Sequence, residues 1–228
     1  MKLSICMTRR ETLVGWCYLL FSMFFLPLAL VLLNGLLENP LSETEINLVF
    51  LGLNFMAVAV IFRRFLTASV KAAWSTPWRC LRFSAFGFAL YYLFSLVVAG
   101  IILWISPDFS NVNDDTVIGL FEEHPALMSF TTILLVPITE ETLYRGLLFQ
   151  GFQRKSRLFA YCLSTLIFAA IHVVGYIGHY DLLTLSLCFI QYLPAGIAIA
   201  WAYEKADTIV APMLIHITIN QIGTSVMR

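Results

Sequence analysis

The sequence predicts an all-α, polytopic transmembrane helical bundle of about seven spans. Three observations lead there. The chain is 60% hydrophobic and 12% charged, whereas soluble domains are roughly 45–50% apolar. Its apolar runs approach the ~20 residues that cross a bilayer as a helix. The loops between those runs alternate between basic and acidic. A net charge of zero gives no electrostatic footprint for nucleic acid, so no nucleic-acid partner is expected.

Seven apolar segments can be drawn: Thr12–Leu37, Ile46–Phe62, Phe83–Ile105, Pro125–Phe149, Leu158–Gly178, Leu182–Tyr203 and Thr208–Met227. The first follows Lys2, Arg9 and Arg10. Its run Leu13–Leu33 is too long for a signal-peptide core and lacks an A-x-A site, so it reads as a retained span. Arg63 to Arg82 mixes Arg63, Arg64, Lys71 and Arg79 with Trp74 and Trp78, which fits an interfacial helix on anionic headgroups and equally a solvated connector. Ser106–His124 is polar and acidic and reads as an external loop. The clusters Arg9/Arg10, Arg63–Arg82 and Arg154/Lys155/Arg157 fall on the side opposite Glu38/Glu43/Glu45 and Asp108–Glu123. Basic loops stay inside, which places the N-terminus in the cytoplasm of what the short chain suggests is a prokaryotic cell membrane. The last cytoplasmic loop, Glu204–Asp207, carries almost no charge bias. One membrane domain, 1–228, is expected, with N-terminal spans and interfacial segment in 1–124 and a catalytic core in 125–228. Cys6, Cys17, Cys80, Cys162 and Cys188 are scattered singly and read as free thiols.

The strongest anomaly is V-P-I-T-E-E-T-L-Y-R-G at Val136–Gly146. Ionisable groups at membrane depth are costly and mark interior functional sites. Glu140, Glu141 and Arg145 interrupt an apolar run, with Glu141 and Arg145 four apart on one helical face. The fifth segment carries Phe168-Ala-Ala-Ile-His172 and the seventh His216-Ile-Thr-Ile-Asn220. At 1.5 Å per residue, Glu140, His172, His216 and Asn220 each lie about 13–20 Å from the expected cytoplasmic end of their helix.

Singly, each has an ordinary explanation: an i, i+4 ion pair, or a histidine or asparagine bonding between helices. His124 and His179 fall in loops and read as solvated; Asn34, Asn47, Asn54 and Gln191 read as packing residues. Two Glu, two His and an Asn at one depth fit hydrolysis better. A carboxylate and a histidine activate water, directly or by holding a metal. Glu140, His172 and His216 are the metal set if a divalent ion such as zinc binds, while a second His and an amide suit an oxyanion. No H-E-x-x-H or G-x-S-x-G element is present.

These motifs, E-E-x-x-x-R, F-x-x-x-H and H-x-x-x-N in that order, resemble the CPBP family of intramembrane peptidases (CAAX proteases and bacteriocin-processing enzymes, also called Abi). The likeness covers Pro125 to Gln221. It implies a helical membrane fold with a water-filled cavity opening to the cytosol, with or without a metal. Glu140 is then the base or ligand, with His172 sharing the water. His216 and Asn220 form the oxyanion side, and Glu141 with Arg145 give support. The expected partners are membrane lipids and a peptide or protein substrate, either lipidated or a bacteriocin leader. A non-catalytic membrane protein of bacteriocin self-immunity or scaffolding is the alternative. A small proton-coupled transporter ranks last, because no inverted repeat with broken helices is found.

Overall fold

The computed structural model describes residues 3–226, and these are helical throughout, without β-strands. The helices are α1 (Arg9–Asn34), α2 (Glu43–Ile61), α3 (Arg63–Ser75), α4 (Pro77–Ile105), α5 (Val112–Leu120), α6 (Pro125–Gln153), α7 (Arg157–Ile171), α8 (Leu182–Ala206) and α9 (Val210–Val226). Their starts follow local chemistry. Thr8 with Glu11 and Ser42 with Glu45 form reciprocal capping boxes, which satisfy backbone N–H groups that no earlier turn can reach. Ser156 and Asp181 cap α7 and α8, and Pro77 and Pro125 open α4 and α6, where a missing N–H costs nothing. Asp207 ends α8 in the left-handed conformation at φ 59°.

Five of the seven expected spans, α1, α2, α4, α6 and α8, are long and apolar enough to cross a membrane. The other two are shorter. α7 has 15 residues and α9 has 17, about 22 and 26 Å at 1.5 Å per residue, below the ~30 Å hydrocarbon core. The count of seven full spans is therefore not confirmed. α7 stops at His172, where the chain turns through a single 3₁₀ turn at Val174–Tyr176. Met227 of the seventh expected segment lies outside the described residues.

α8 is the central post, packing against α4, α7 and α9. Small residues allow the approach, as they do between helices in lipid. A Cβ on Gly196 would come within 2.6 Å of Thr165 Cγ2, and one on Gly87 within 2.5 Å of Ile215 Cδ1. The buried core joins Phe62, Leu143, Leu147, Phe168, Ile199 and Ile215. α3 is amphipathic: Phe65 and Ser69 are buried, while Arg63, Arg64, Lys71 and Trp74 face outward. All five cysteines are free thiols.

Two regions differ from expectation. Ser106–His124 is not merely an external loop. Asn111 caps α5, which packs Val112 against Val173, Leu185 and Cys188. The weakly charged stretch expected as a loop at Glu204–Asp207 is instead the last turn of α8 with its cap, and Glu204 makes it a buried junction. Glu204 is 1% exposed, and accepts hydrogen bonds from Arg157 at 2.6 Å, Tyr161 at 2.9 Å and Gln153 at 3.1 Å.

Candidate active site

The three motifs converge on α6, α7 and α9. On α6 the turns are widened over Thr131–Leu135, before Pro137, and again over Thr142–Phe149, after Glu141. Such π-type turns recur at functional sites because they re-aim side chains and disturb the regular backbone ladder. Ser164 of α7 donates to the carbonyl of Tyr144 within the second stretch, at 2.9 Å.

Glu141, Arg145 and His216 form one connected unit. Glu141 and Arg145 are fully buried. Arg145 donates from Nη1 to Glu141 Oε1 at 3.1 Å, and the same oxygen lies 2.8 Å from His216 Nδ1. Arg145 Nη2 also reaches the carbonyl of Gly196 at 3.4 Å. A carboxylate can only accept here, so His216 Nδ1 carries the hydrogen and Nε2 is left as the ring's second functional atom. Desolvating this pair is costly; the third partner and the α8 carbonyl offset part of that cost.

Phe168 explains the spacing of its motif. Arg145 lies over its ring, 4.4 Å from the centroid, with His172 at 4.8 Å and His216 at 5.9 Å between ring centres. One aromatic ring thus touches a guanidinium on its face and spaces two imidazoles around it. His172 caps the C-terminus of α7. Its Nδ1 lies 2.7 Å from the carbonyl of Phe168, so Nδ1 donates and Nε2 keeps its lone pair.

Glu140 is half-buried on the wall of a cavity of about 260 Å³ that also meets Asn54, Val136, Tyr144 and Ile171. Its Oε2 is buried without a hydrogen-bond partner. A buried polar atom left so is an exception that calls for a role. Asn220, one turn beyond His216, spends one amide hydrogen on the carbonyl of Thr132 at 2.8 Å; its amide carries a second.

The fit to a metal was tested on donor spacing. Tetrahedral zinc, with bonds of about 2.0–2.1 Å, needs its donors about 3.4 Å apart. Among the described residues, only Glu45, Glu123 and His124 bring three such donors within 4.8 Å of one another. Glu140, His172 and His216 do not form such a group as they stand. The Glu45 trio, of which only Glu123 is exposed, carries no further sign of a ligand.

Sequence reasoning missed Tyr192 and Asp114. The Tyr192 ring stacks on His172, with centroids 4.1 Å apart and planes 24° apart. Its hydroxyl donates to Asp114 Oδ1 at 2.9 Å and accepts from Asn113 Nδ2 at 3.0 Å. Burial pushes the Asp114 carboxyl above its ordinary range, with the Tyr192 hydrogen bond opposing. The signal available was Asn111–Asp115, too polar for its apolar flanks, but nothing in the sequence says where it docks.

A helical bundle with carboxylates, a guanidinium, two imidazoles and an amide gathered inside it defines a polytopic membrane protein with an intramembrane polar site. Residues 122–222 match the family described as Rce1-like, type II CAAX prenyl endopeptidase, so the resemblance read from the three motifs is borne out over that segment. The chain is also similar to the UPF0177 protein YxdF of Lactococcus lactis subsp. lactis, 26% identical over 95 residues, which is 42% of this chain and 47% of that protein. The match with this curated relative spans about half of the relative's length. No solved structure matches.

Proposed function

We propose that the protein is an intramembrane endopeptidase that hydrolyses a peptide bond near the cytoplasmic leaflet, with its N-terminus on that side. The observation that carries this reading is Glu140, whose Oε2 is buried without a hydrogen-bond partner and which lines a cavity together with Ile171, the residue before His172. Glu140 takes a proton from a water that also bonds His172 Nε2, and the hydroxide adds to the scissile carbonyl carbon. The charge on the carbonyl oxygen is met by the second amide hydrogen of Asn220 and by His216, whose protonated form Glu141 balances. Glu140 then returns the proton to the leaving amine. Arg145 keeps Glu141 in place and does not touch substrate.

No step here passes through a metal, because the three candidate donors are not gathered as zinc requires. The substrate is a peptide or protein at the membrane, a lipidated C-terminus or a bacteriocin leader. Purified protein in detergent, offered prenylated C-a-a-X peptides and leader peptides with and without chelator, tests the reading. Glu140→Gln and His172→Ala are expected to abolish cleavage, each costing at least about 100-fold in kcat, while the folded protein is retained. Unchanged cleavage in both variants overturns it. Loss of wild-type cleavage to the chelator alone would instead restore a metal.

A further inference from the structure

α5 reaches the site from the acidic side of the bundle, and its first turn is clasped to the middle of α8. Asn111 Nδ2 donates to Gln191 Oε1 at 3.0 Å. Asn113 and Asp114 hold the neighbouring Tyr192 hydroxyl from two sides, one as donor and one as acceptor. The apolar face below, Val112 on Val173 and Leu185, seats the helix on the turn that follows His172. Three polar side chains from one short turn thus converge on two adjacent residues of α8, more than docking a surface loop requires.

Tyr192 is the link inward. Its ring covers one face of the His172 imidazole, whose Nδ1 is fixed by the Phe168 carbonyl. The Phe168 ring lies against the same imidazole at 56°. These holds leave the imidazole little freedom about its last torsion, which by itself is broad and roughly two-fold. The direction of Nε2 follows from that torsion. Tyr192 can stay stacked only while its hydroxyl is anchored, and both anchors come from α5.

We propose that Asp114 and Tyr192 are positioning residues for His172, so that α5 sets the aim of the site's histidine from outside the three motifs. The claim of a catalytic consequence rests on the peptidase reading; the claim about the imidazole does not. Two readouts separate them. The chain has four histidines, so ¹³C-histidine labelling gives four ring Cε1–H signals, and His172→Gln identifies the one that matters.

Tyr192→Leu is expected to move the His172 signal, through loss of the stacked ring, and to lower kcat by about 10-fold to 100-fold with KM unchanged, as for a misplaced group. Asp114→Ala, which keeps the ring, should move it less and lower kcat. Asp114→Asn, which keeps an acceptor for the tyrosine hydroxyl, should restore most of both. If Tyr192→Leu does not fold, the Asp114 pair carries the test. A His172 signal unmoved by Tyr192→Leu or Asp114→Ala overturns the proposal, as does a rise in KM at constant kcat. If no variant and no wild-type protein cleaves, the signals still decide the positioning claim, and the peptidase reading falls alone.

Discussion

The outer and inner helices of this bundle are built on opposite principles. In the most apolar stretches of α1 and α4 only 11% and 6% of residues are buried within the protein; in α6 and α8 the shares are 39% and 44%. α1 and α4 turn Phe24, Leu32, Leu96 and Trp104 outward, where lipid is as good a neighbour as protein. α6 and α8 use the shelter so gained to hold a buried carboxylate, a guanidinium and a proline inside the helix at Pro194. Outer helices are greasy because they are solvent to the inner ones. The inner helices can be less apolar because a larger share of their surface faces protein.

The largest expected break in that contrast is at Glu141. Glu141→Ala leaves Arg145 buried without its carboxylate, a loss of about 3–5 kcal/mol, whereas Leu32→Ala on the lipid face should change stability by under about 0.5 kcal/mol. Thermal unfolding of both in the same detergent checks this, and equal shifts would erase the distinction. A smaller contrast lies in the glycines. Gly196→Ala drives a methyl into Thr165 and should cost about 1–3 kcal/mol. Gly52→Ala in α2, with nothing within 4 Å of the added Cβ, should stabilise by up to about 1 kcal/mol.

The smallest effect is at the exposed start of α8. Hydrogen bonds from the Thr184 hydroxyl and from the backbone N–H groups of Thr184 and Leu183 hold the Asp181 carboxyl below its usual range. Its folded value is depressed, so its contribution is present in full above the ordinary aspartate value of about 3.9 and fades as pH falls through the lowered one. Unfolding temperatures measured between neutral pH and pH ~3 should fall slightly more for the wild type than for Asp181→Asn, which keeps the cap without the charge. An identical pH dependence in the two would remove Asp181 as the source.

The helices and the three motifs were legible because both signals are local. Apolar runs reveal spans, and charges inside such runs have few uses other than a site. The number of full crossings was less legible: Leu158–Gly178 looks continuous in composition, yet its helix stops at Ile171. α5, Tyr192 and the Glu204 junction were not legible at all. A polar loop and a polar plug share one composition, and which it becomes depends on partners some 80 residues away. Glu204 drew no notice because a turn of mixed charge has no net bias, although one of its charges is buried.

The stretch before α1 is stitched to the opposite end of the sequence. Ser4 gives its backbone N–H and its hydroxyl to the two carboxylate oxygens of Asp207, and Gln150 bonds both Met7 N and Ile5 O. A ribosome releases the first of these residues long before it makes the last. During synthesis, therefore, the leading segment has no partner for these bonds until Gln150 of α6 is made, and Ser4 has none until Asp207 ends α8. A nascent chain stalled before Gln150 should still offer this segment to a protease.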